Sequence, residues 1–193
     1  MNQLSKDLTP EEFLSVIDTM FSAAVITPNH PLHQGVFATS RESLIQQRYV
    51  VVRRWSLLRR TLMFHTDNRS PKISDLKQTA SSSFIFYSNP DQLQLRFECI
   101  THVHTHDRLA RALFNDTTPS QRLPYQTPIP PSDKTTLSEL SNTTNQQDPF
   151  NNFAVCVCNF NTIELLYLNR FAHVRIIYEW NDKGELVWDY LAP

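Results

Sequence analysis

Glycine is nearly missing: of 193 residues only Gly35 and Gly184 are glycine. The Gly-rich phosphate loops of Rossmann and P-loop proteins need several positions of close backbone approach, so neither can be built here. Cysteine is scarce as well. Cys99, Cys156 and Cys158 are odd in number and include no CxxC pair, which speaks against a disulfide framework or a structural zinc site. There is no basic surplus, with 18 Lys and Arg against 19 Asp and Glu and a net charge of -1. Proteins held on nucleic acid by counterion release carry the opposite balance, so no nucleic-acid partner is expected and any basic patch is local. No charged-then-apolar leader occurs, and no apolar run approaches the roughly 20 residues of a membrane span. A soluble, cytoplasmic protein without membrane contact is expected.

What is present suffices for one core. With 40% hydrophobic residues, the chain fits a single domain over 1–193, with a helical segment over 1–30 and a long Pro, Ser, Thr, Asn and Gln-rich loop over 126–150. The stretch FHTDNRSPK, residues 64–72, reads as a strand end (Leu62, Phe64), a polar turn and a helix start. Ser70 can cap that helix and Pro71 can take its first position. A helix start beside a hydroxyl, Arg69 and Lys72 is a site for an anion, most naturally a phosphate.

At the N-terminus, Thr9, Pro10 and Glu12 form a capping box, and Phe13, Val16, Ile17, Met20, Phe21 and Ala24 recur at helical spacing. This stripe predicts a packing face, on this core or on a second subunit. VFATS and RYVVVRRW read as strands with the polar ESLIQQ between them. In the second strand Tyr49, Val51 and Arg53 point one way, and Arg48, Val50 and Val52 the other. After a helix with Ile73 and Leu76 buried come the strands SFIFYS and LQLRFEC, the latter with Leu93, Leu95, Phe97 and Cys99 on one face. HVHTH puts His102, His104 and His106 on one side of an extended chain about 6.5–7 Å apart. A polar strand face is the default reading and a metal site the alternative. The sequence supplies no acidic or cysteine ligand to complete such a site, so no metal is assigned. A helix follows near Asp107 to Leu113, and TLSELS supplies a helical turn in the long loop. FAVCVCNF, TIELLYL, VRIIYEW and ELVWDYL are the last strands, the final two joined by a turn at residues 181–184. Seven or more short strands with a few helices predict a mainly β fold, an antiparallel barrel with flanking helices.

The succession RYVVVRRW, FHTDNRSPKISDL, FYSNPDQLQLRFEC, FAHVRIIYEW and LAP resembles the FMN-binding split-barrel flavoproteins related to pyridoxamine 5'-phosphate oxidase, from about Pro31 to Pro193. The form HTD-x-RS-x-K, with LFNDTTPSQRLPYQTPIP, resembles a branch of oxidase-related proteins of uncertain substrate. The resemblance implies an antiparallel Greek-key split barrel, FMN as cofactor, and a homodimer with FMN at the subunit interface. The stripe of the first helix is consistent with such a dimer. The resemblance puts Arg48, Tyr49, Val50, Val51 and Arg53 on the strand along the flavin, with Arg48 at the phosphate and Arg53 near the ring. It puts His65 and Thr66 at the flavin, and Ser70 and Lys72 at the phosphate. Pro71 replaces an arginine of the oxidase, whose charge Arg69 supplies. Gln94 and Arg175 match further flavin contacts.

Three departures bear on activity. Phe171, Ala172 and His173 stand where the oxidase has Arg-Leu-His, Leu166 replaces a flavin-contacting tryptophan, and the residues that hold substrate phosphate have no counterparts over Phe114 to Ser132. The resemblance therefore implies a flavin-dependent oxidoreductase on a small substrate other than pyridoxine phosphate, with His173 as candidate acid/base. The alternative is a non-catalytic FMN carrier.

Overall fold

A computed structural model describes residues 4–140 and 148–193. Helix α1, Pro10–Ile26, starts as the capping box requires: Glu12 N donates to Thr9 Oγ1 at 3.3 Å and Thr9 N donates to Glu12 Oε2 at 2.8 Å. Its stripe is spent on this chain's own core. Phe13, Ile17, Phe21 and Ala24 are fully buried, and Phe21 stacks on Trp55 at 4.5 Å. Two side-chain bonds fix the helix further, Tyr178 OH to the Pro10 carbonyl and Trp55 Nε1 to Asp18, each 2.7 Å. Of the two packing faces expected for this stripe, the chain's own core is the one it serves.

Strands β1 (Gln34–Arg41) and β2 (Leu44–Ser56) form a hairpin joined by Glu42 and Ser43 alone. Both turn residues have positive φ, 46° and 69°, the geometry that matches strand twist in a two-residue turn. Most of ESLIQQ is therefore strand, not connector. Strand β3 (Thr61–Asp67) leads into α2 (Pro71–Gln78), then β4 (Ser81–Ser88) and β5 (Leu93–His104). Helix α3 (Arg108–Asn115) and the single turns α4 (Pro119–Arg122) and α5 (Leu137–Leu140) precede β6 (Phe153–Tyr167), β7 (Val174–Trp180) and β8 (Leu186–Tyr190). No helix among the described residues is long and apolar enough to cross a membrane.

The sheet runs β3-β2-β1-β4-β5-β6-β7-β8, and β3 also pairs with β6. That second pairing closes a six-stranded antiparallel barrel, and β7 and β8 continue the sheet beyond it. FAVCVCNF and TIELLYL are one 15-residue strand, not two. A bulge opposite Glu98 and Cys99 lets it change partners, from β3 in its first half to β7 in its second, as an extra residue bends a strand. Inside the barrel Phe37, Phe64, Phe84, Phe86, Phe97 and Phe160 form the centre of the core. Gly35 is there because of them: a Cβ would stand 2.3 Å from the Phe86 ring.

A second cluster lies outside the barrel wall. Ala110, Leu113, Phe114, Tyr125, Phe150, Phe153 and Val155 cover the outer faces of β3 and β6. Arg122 organises this cover by donating to the carbonyls of Phe114, Asn115 and Thr117 at 2.9–3.2 Å, satisfying the end of α3 as a cation does well. Of the expected loop, Thr127 and Pro128 are held by Arg69, residues 132–140 are exposed, and residues 141–147 lie outside the described residues.

Candidate functional site

Strands β2 and β3 part company halfway. Their pairing runs from Ser56–Thr61 to Val52–Phe64 and stops, with Arg53 as the extra residue of a bulge. Beyond that point β3 pairs only with β6 through Asp67, and β2 pairs only with β1 through Leu44. A cleft opens between them, with Arg48, Tyr49, Val50 and Val51 on one wall and His65 and Thr66 on the other. Val50 is 9% exposed, with its side chain in the core, whereas Tyr49 is 73% exposed. Only the backbone of Val50 is therefore available in the cleft.

Helix α2 crosses the foot of this cleft and brings Lys72 and Asp75 to it. Lys72 Nζ donates to Thr66 Oγ1 at 2.9 Å and to Ser70 Oγ at 2.7 Å. Ser70 thus serves Lys72 and makes no side-chain cap, contrary to expectation. The helix end itself offers little, since Pro71 has no N–H and Ile73 N donates to the Ser70 carbonyl at 2.9 Å. Arg48 Nη1 donates to Thr39 Oγ1 at 2.8 Å. The carboxylate of this end is Asp75, 1% exposed, which accepts from Arg41 Nε at 2.7 Å and from Thr39 Oγ1 at 2.9 Å. Burial alone would raise the Asp75 pKa, but the bonds from Arg41 and Thr39 hold it below the usual carboxylate value. Lys72 lies below the usual lysine value because of burial first and the Arg48 charge second. Arg48 is lowered by burial too. Arg41 and Arg48 thus reach one buried carboxylate, and the Lys72 ammonium lies near it without contact.

Arg69 behaves differently. Its Nε and Nη2 embrace Asp67 at 3.0 and 2.7 Å, and its remaining donors reach the carbonyls of Thr127 and Pro128 at 3.0 and 3.3 Å. It straps the segment after α4 to the turn, and its charge is already matched.

Higher on the cleft, the His65 ring meets the edge of Phe153 at 4.9 Å, and its buried Nε2 has no hydrogen-bond partner among the described residues. Burial, then the charges of Arg53 and Arg54, push its pKa down to about 4. The half-buried Arg53 likewise makes no hydrogen bond or ion pair among the described residues. An orphaned acceptor-or-donor and two unneutralised cations, Arg53 and Lys72, fit a planar polar ring carrying a phosphate.

Gln94, Leu166 and Arg175 form one row across β5, β6 and β7, at the other end of the barrel. Thr101, beside the end of α2 through its bond to the Ala80 carbonyl, is seven residues along β5, or roughly 24 Å away. Arg175 there donates to Glu164 Oε1 from Nε at 3.2 Å and Nη2 at 2.9 Å, and to the Ala192 carbonyl at 3.2 Å. His173 is exposed in the loop before β7. The chain therefore gathers Arg48, Arg53, His65, Thr66, Ser70 and Lys72, and leaves Gln94, Arg175 and His173 elsewhere.

The histidine row does not survive as drawn. Strand β5 ends at His104, which pairs with Asp107 at 2.7 Å, and His106 has φ 56° with its ring against Phe150. Among the described residues no three His, Cys, Asp or Glu gather as metal ligands. Cys156 and Cys158 are fully buried, and burial raises both thiols, Cys156 to about 12. Sequence reasoning missed Thr39, Arg41 and Asp75. The signal was available in β1, where Thr39 and Arg41 follow Phe37 at the two-residue period of one face.

Residues 14–105 match the sequence model of the family described as pyridoxamine 5'-phosphate oxidase, FMN-binding domain. Among solved structures, a pyridoxamine 5'-phosphate oxidase-related, FMN binding protein from Nostoc punctiforme is similar with a TM-score of 0.79 and 19% identity, over 97% of this chain and 100% of that one. PhzG from Burkholderia lata, solved with tetrahydrophenazine-1-carboxylic acid, gives 0.74 and 15% over 97% and 98%. A comparison with curated proteins gives no match. The split-barrel fold is shared over nearly the whole chain, and the FMN-binding resemblance holds over residues 14–105.

Proposed function

We propose that this chain, whose residues 14–105 correspond to an FMN-binding domain, is an FMN-dependent oxidoreductase acting on a small substrate. The observation that carries the reading is the excess of positive charge on half-buried side chains at the foot of the β2–β3 cleft. Three cations against Asp75 leave two positive charges, which match a phosphate monoester dianion. Lys72 and Arg48 would hold that phosphate, Thr66 and Ser70 would orient the Lys72 ammonium, and the ring would lie along β2 toward Arg53 and His65. Bound FMN supplies a ring that exchanges hydride equivalents with the substrate. Arg53 favours negative charge on whatever it faces, and His65, neutral near pH 7, offers one hydrogen bond from Nε2. The test is direct: the purified protein should be yellow, and denaturation should release FMN. A colourless protein that takes up no added FMN overturns the reading.

The alternative is a non-catalytic FMN carrier, and it is favoured by Phe171, Ala172 and His173, exposed in the loop before β7 where the oxidase has Arg-Leu-His. Anaerobic mixing with NADPH, NADH or pyridoxamine phosphate separates the two. Bleaching of the flavin on a useful timescale supports the oxidoreductase, and a flavin that stays oxidised with all three supports the carrier.

A homodimer with FMN at the interface belongs to this reading. Ile45, Tyr49, Ile85, Tyr87 and Ile100 are exposed on the outer face of β2, β4 and β5, and Tyr87 stands directly opposite Gln94. Such an apolar face is covered most simply by a second copy, which would bring its own Gln94 and Arg175 to the cleft. Ile85→Asp should give a monomer by light scattering and weaken FMN binding with it. A variant that keeps the wild-type mass removes this face from the interface.

A further inference from the structure

We propose that Asp75 is a positioning residue for the anion site, holding Arg48 in its binding orientation through the Thr39 hydroxyl. The proposal rests on reading the α2 end as the phosphate subsite. Asp75 lies three residues after Lys72 on α2, so one short helix delivers both to the same end of the barrel. Its Oδ1 accepts from Arg41 Nε at 2.7 Å, and its Oδ2 accepts from Thr39 Oγ1 at 2.9 Å and from Arg41 Nη2 at 3.3 Å. Thr39 has a single hydroxyl proton. With that proton committed to Asp75, its lone pairs face Arg48, whose Nη1 donates to Oγ1 at 2.8 Å. The chain of bonds therefore has a direction, from Arg48 through Thr39 to Asp75.

Contact between Arg48 and Asp75 themselves is long, 3.8 Å from Nη2 to Oδ2, outside hydrogen-bond range. Arg48 is thus oriented without being consumed: Nε and the Nη2 donors have no acceptor among the described residues. The same carboxylate keeps Arg41 turned toward itself, so that three neighbouring cations do not splay apart by repulsion. The groups that face Asp75 are Arg41, Arg48 and Thr39, with the Lys72 ammonium nearby on the same helix.

Charge and positioning predict opposite signs for one substitution. A carboxylate beside an anion site opposes the anion, so by charge alone Asp75→Asn tightens FMN. If Asp75 positions Arg48, the same change leaves Arg41 and Thr39 one amide oxygen between them and puts an N–H donor in place of the other acceptor, which turns the Thr39 hydroxyl and weakens FMN. The measurement is flavin fluorescence titration of the full chain with FMN and with riboflavin, which lacks the phosphate. Asp75→Asn should weaken FMN about tenfold or more and leave riboflavin within about twofold, and Thr39→Val, which alters no charge, should weaken FMN alone by about threefold. FMN binding that is unchanged or tighter in Asp75→Asn overturns the proposal, as does an equal loss for both ligands. Should Asp75→Asn fail to fold, Thr39→Val decides: a loss confined to FMN supports the relay, and none overturns it. A wild-type protein that binds riboflavin as tightly as FMN overturns instead the phosphate assignment on which the proposal rests.

Discussion

The two ends of the barrel carry arginines in different states. At the α2 end Arg48 and Lys72 are half-buried, bonded to hydroxyls and a backbone carbonyl, and short of countercharge. At the opposite end Arg175 is closed into a fork with Glu164 and the C-terminal backbone, and Glu164 also meets Arg96 at 3.3 Å. At the first end Lys72 touches no carboxylate and Arg48 reaches Asp75 only at 3.8 Å, whereas at the second both Arg96 and Arg175 contact Glu164 at hydrogen-bond distance. A cation is therefore diagnostic of a ligand only when its partners are neutral. The comparison supports the proposed phosphate position at the α2 end, and in the proposed dimer the other end would meet a flavin across the subunit boundary.

The sharpest way to break that contrast is to remove the unmatched charges. Lys72→Ala and Arg48→Ala should each weaken FMN by roughly 1.5–3 kcal/mol, about 10-fold to 150-fold, because each deletes a charge-assisted bond to the phosphate. Riboflavin should bind the variants and the wild type alike. Lys72→Ala also relieves a desolvated ammonium that has no carboxylate in contact, so the flavin-free variant should melt no lower than wild type. Full FMN affinity in both variants would remove the phosphate from this end.

Sequence reasoning reached this end through FHTDNRSPK but misjudged how its parts are used. Arg69 and Lys72 both read as phosphate ligands because residue type carries charge, while only the fold decides whether that charge is already matched. Asp67 lies two residues before Arg69 and was open to suspicion; the grip of Arg69 on Thr127 and Pro128 was not, because it depends on how a segment about sixty residues away is folded back. The strand identities and the inward faces of β5 and β6 were legible from period-two alternation. The continuity of β6 was not, since a strand that exchanges one partner for another looks locally like two strands with a polar joint at Asn159 and Asn161. Gln94 and Arg175 were named by resemblance, and their distance from Lys72 follows from register alone.

His65 offers a smaller effect that tests the upper part of the same cleft. Its folded pKa, about 4, lies below the ordinary histidine value of 6.5, so the unfolded chain takes up the proton first as pH falls. Stability from this group is complete above pH 6.5 and is lost progressively between 6.5 and 4. Between pH 7 and pH 5 the flavin-free protein should lose roughly 2 kcal/mol on this account, or about 4–8 °C in Tm for a chain of this size. His65→Gln should show a correspondingly smaller fall over the same interval. Equal falls in the two proteins would mean that the His65 ring protonates freely in the folded state.

The smallest expected effect lies at the matched end. Arg175→Ala removes a partly exposed ion pair from Glu164, which keeps Arg96, so the melting temperature should drop by no more than about 4 °C, the consequence of roughly 0–1 kcal/mol. If a second copy carries Arg175 to the flavin ring, FMN and riboflavin should weaken together, by about threefold, since the ring is common to both. That pattern is the reverse of the one expected for Lys72→Ala, which separates the two ligands. An Arg175→Ala protein that loses FMN and keeps riboflavin would place the phosphate at the Gln94 end, and the contrast between the two ends would have to be read the other way round.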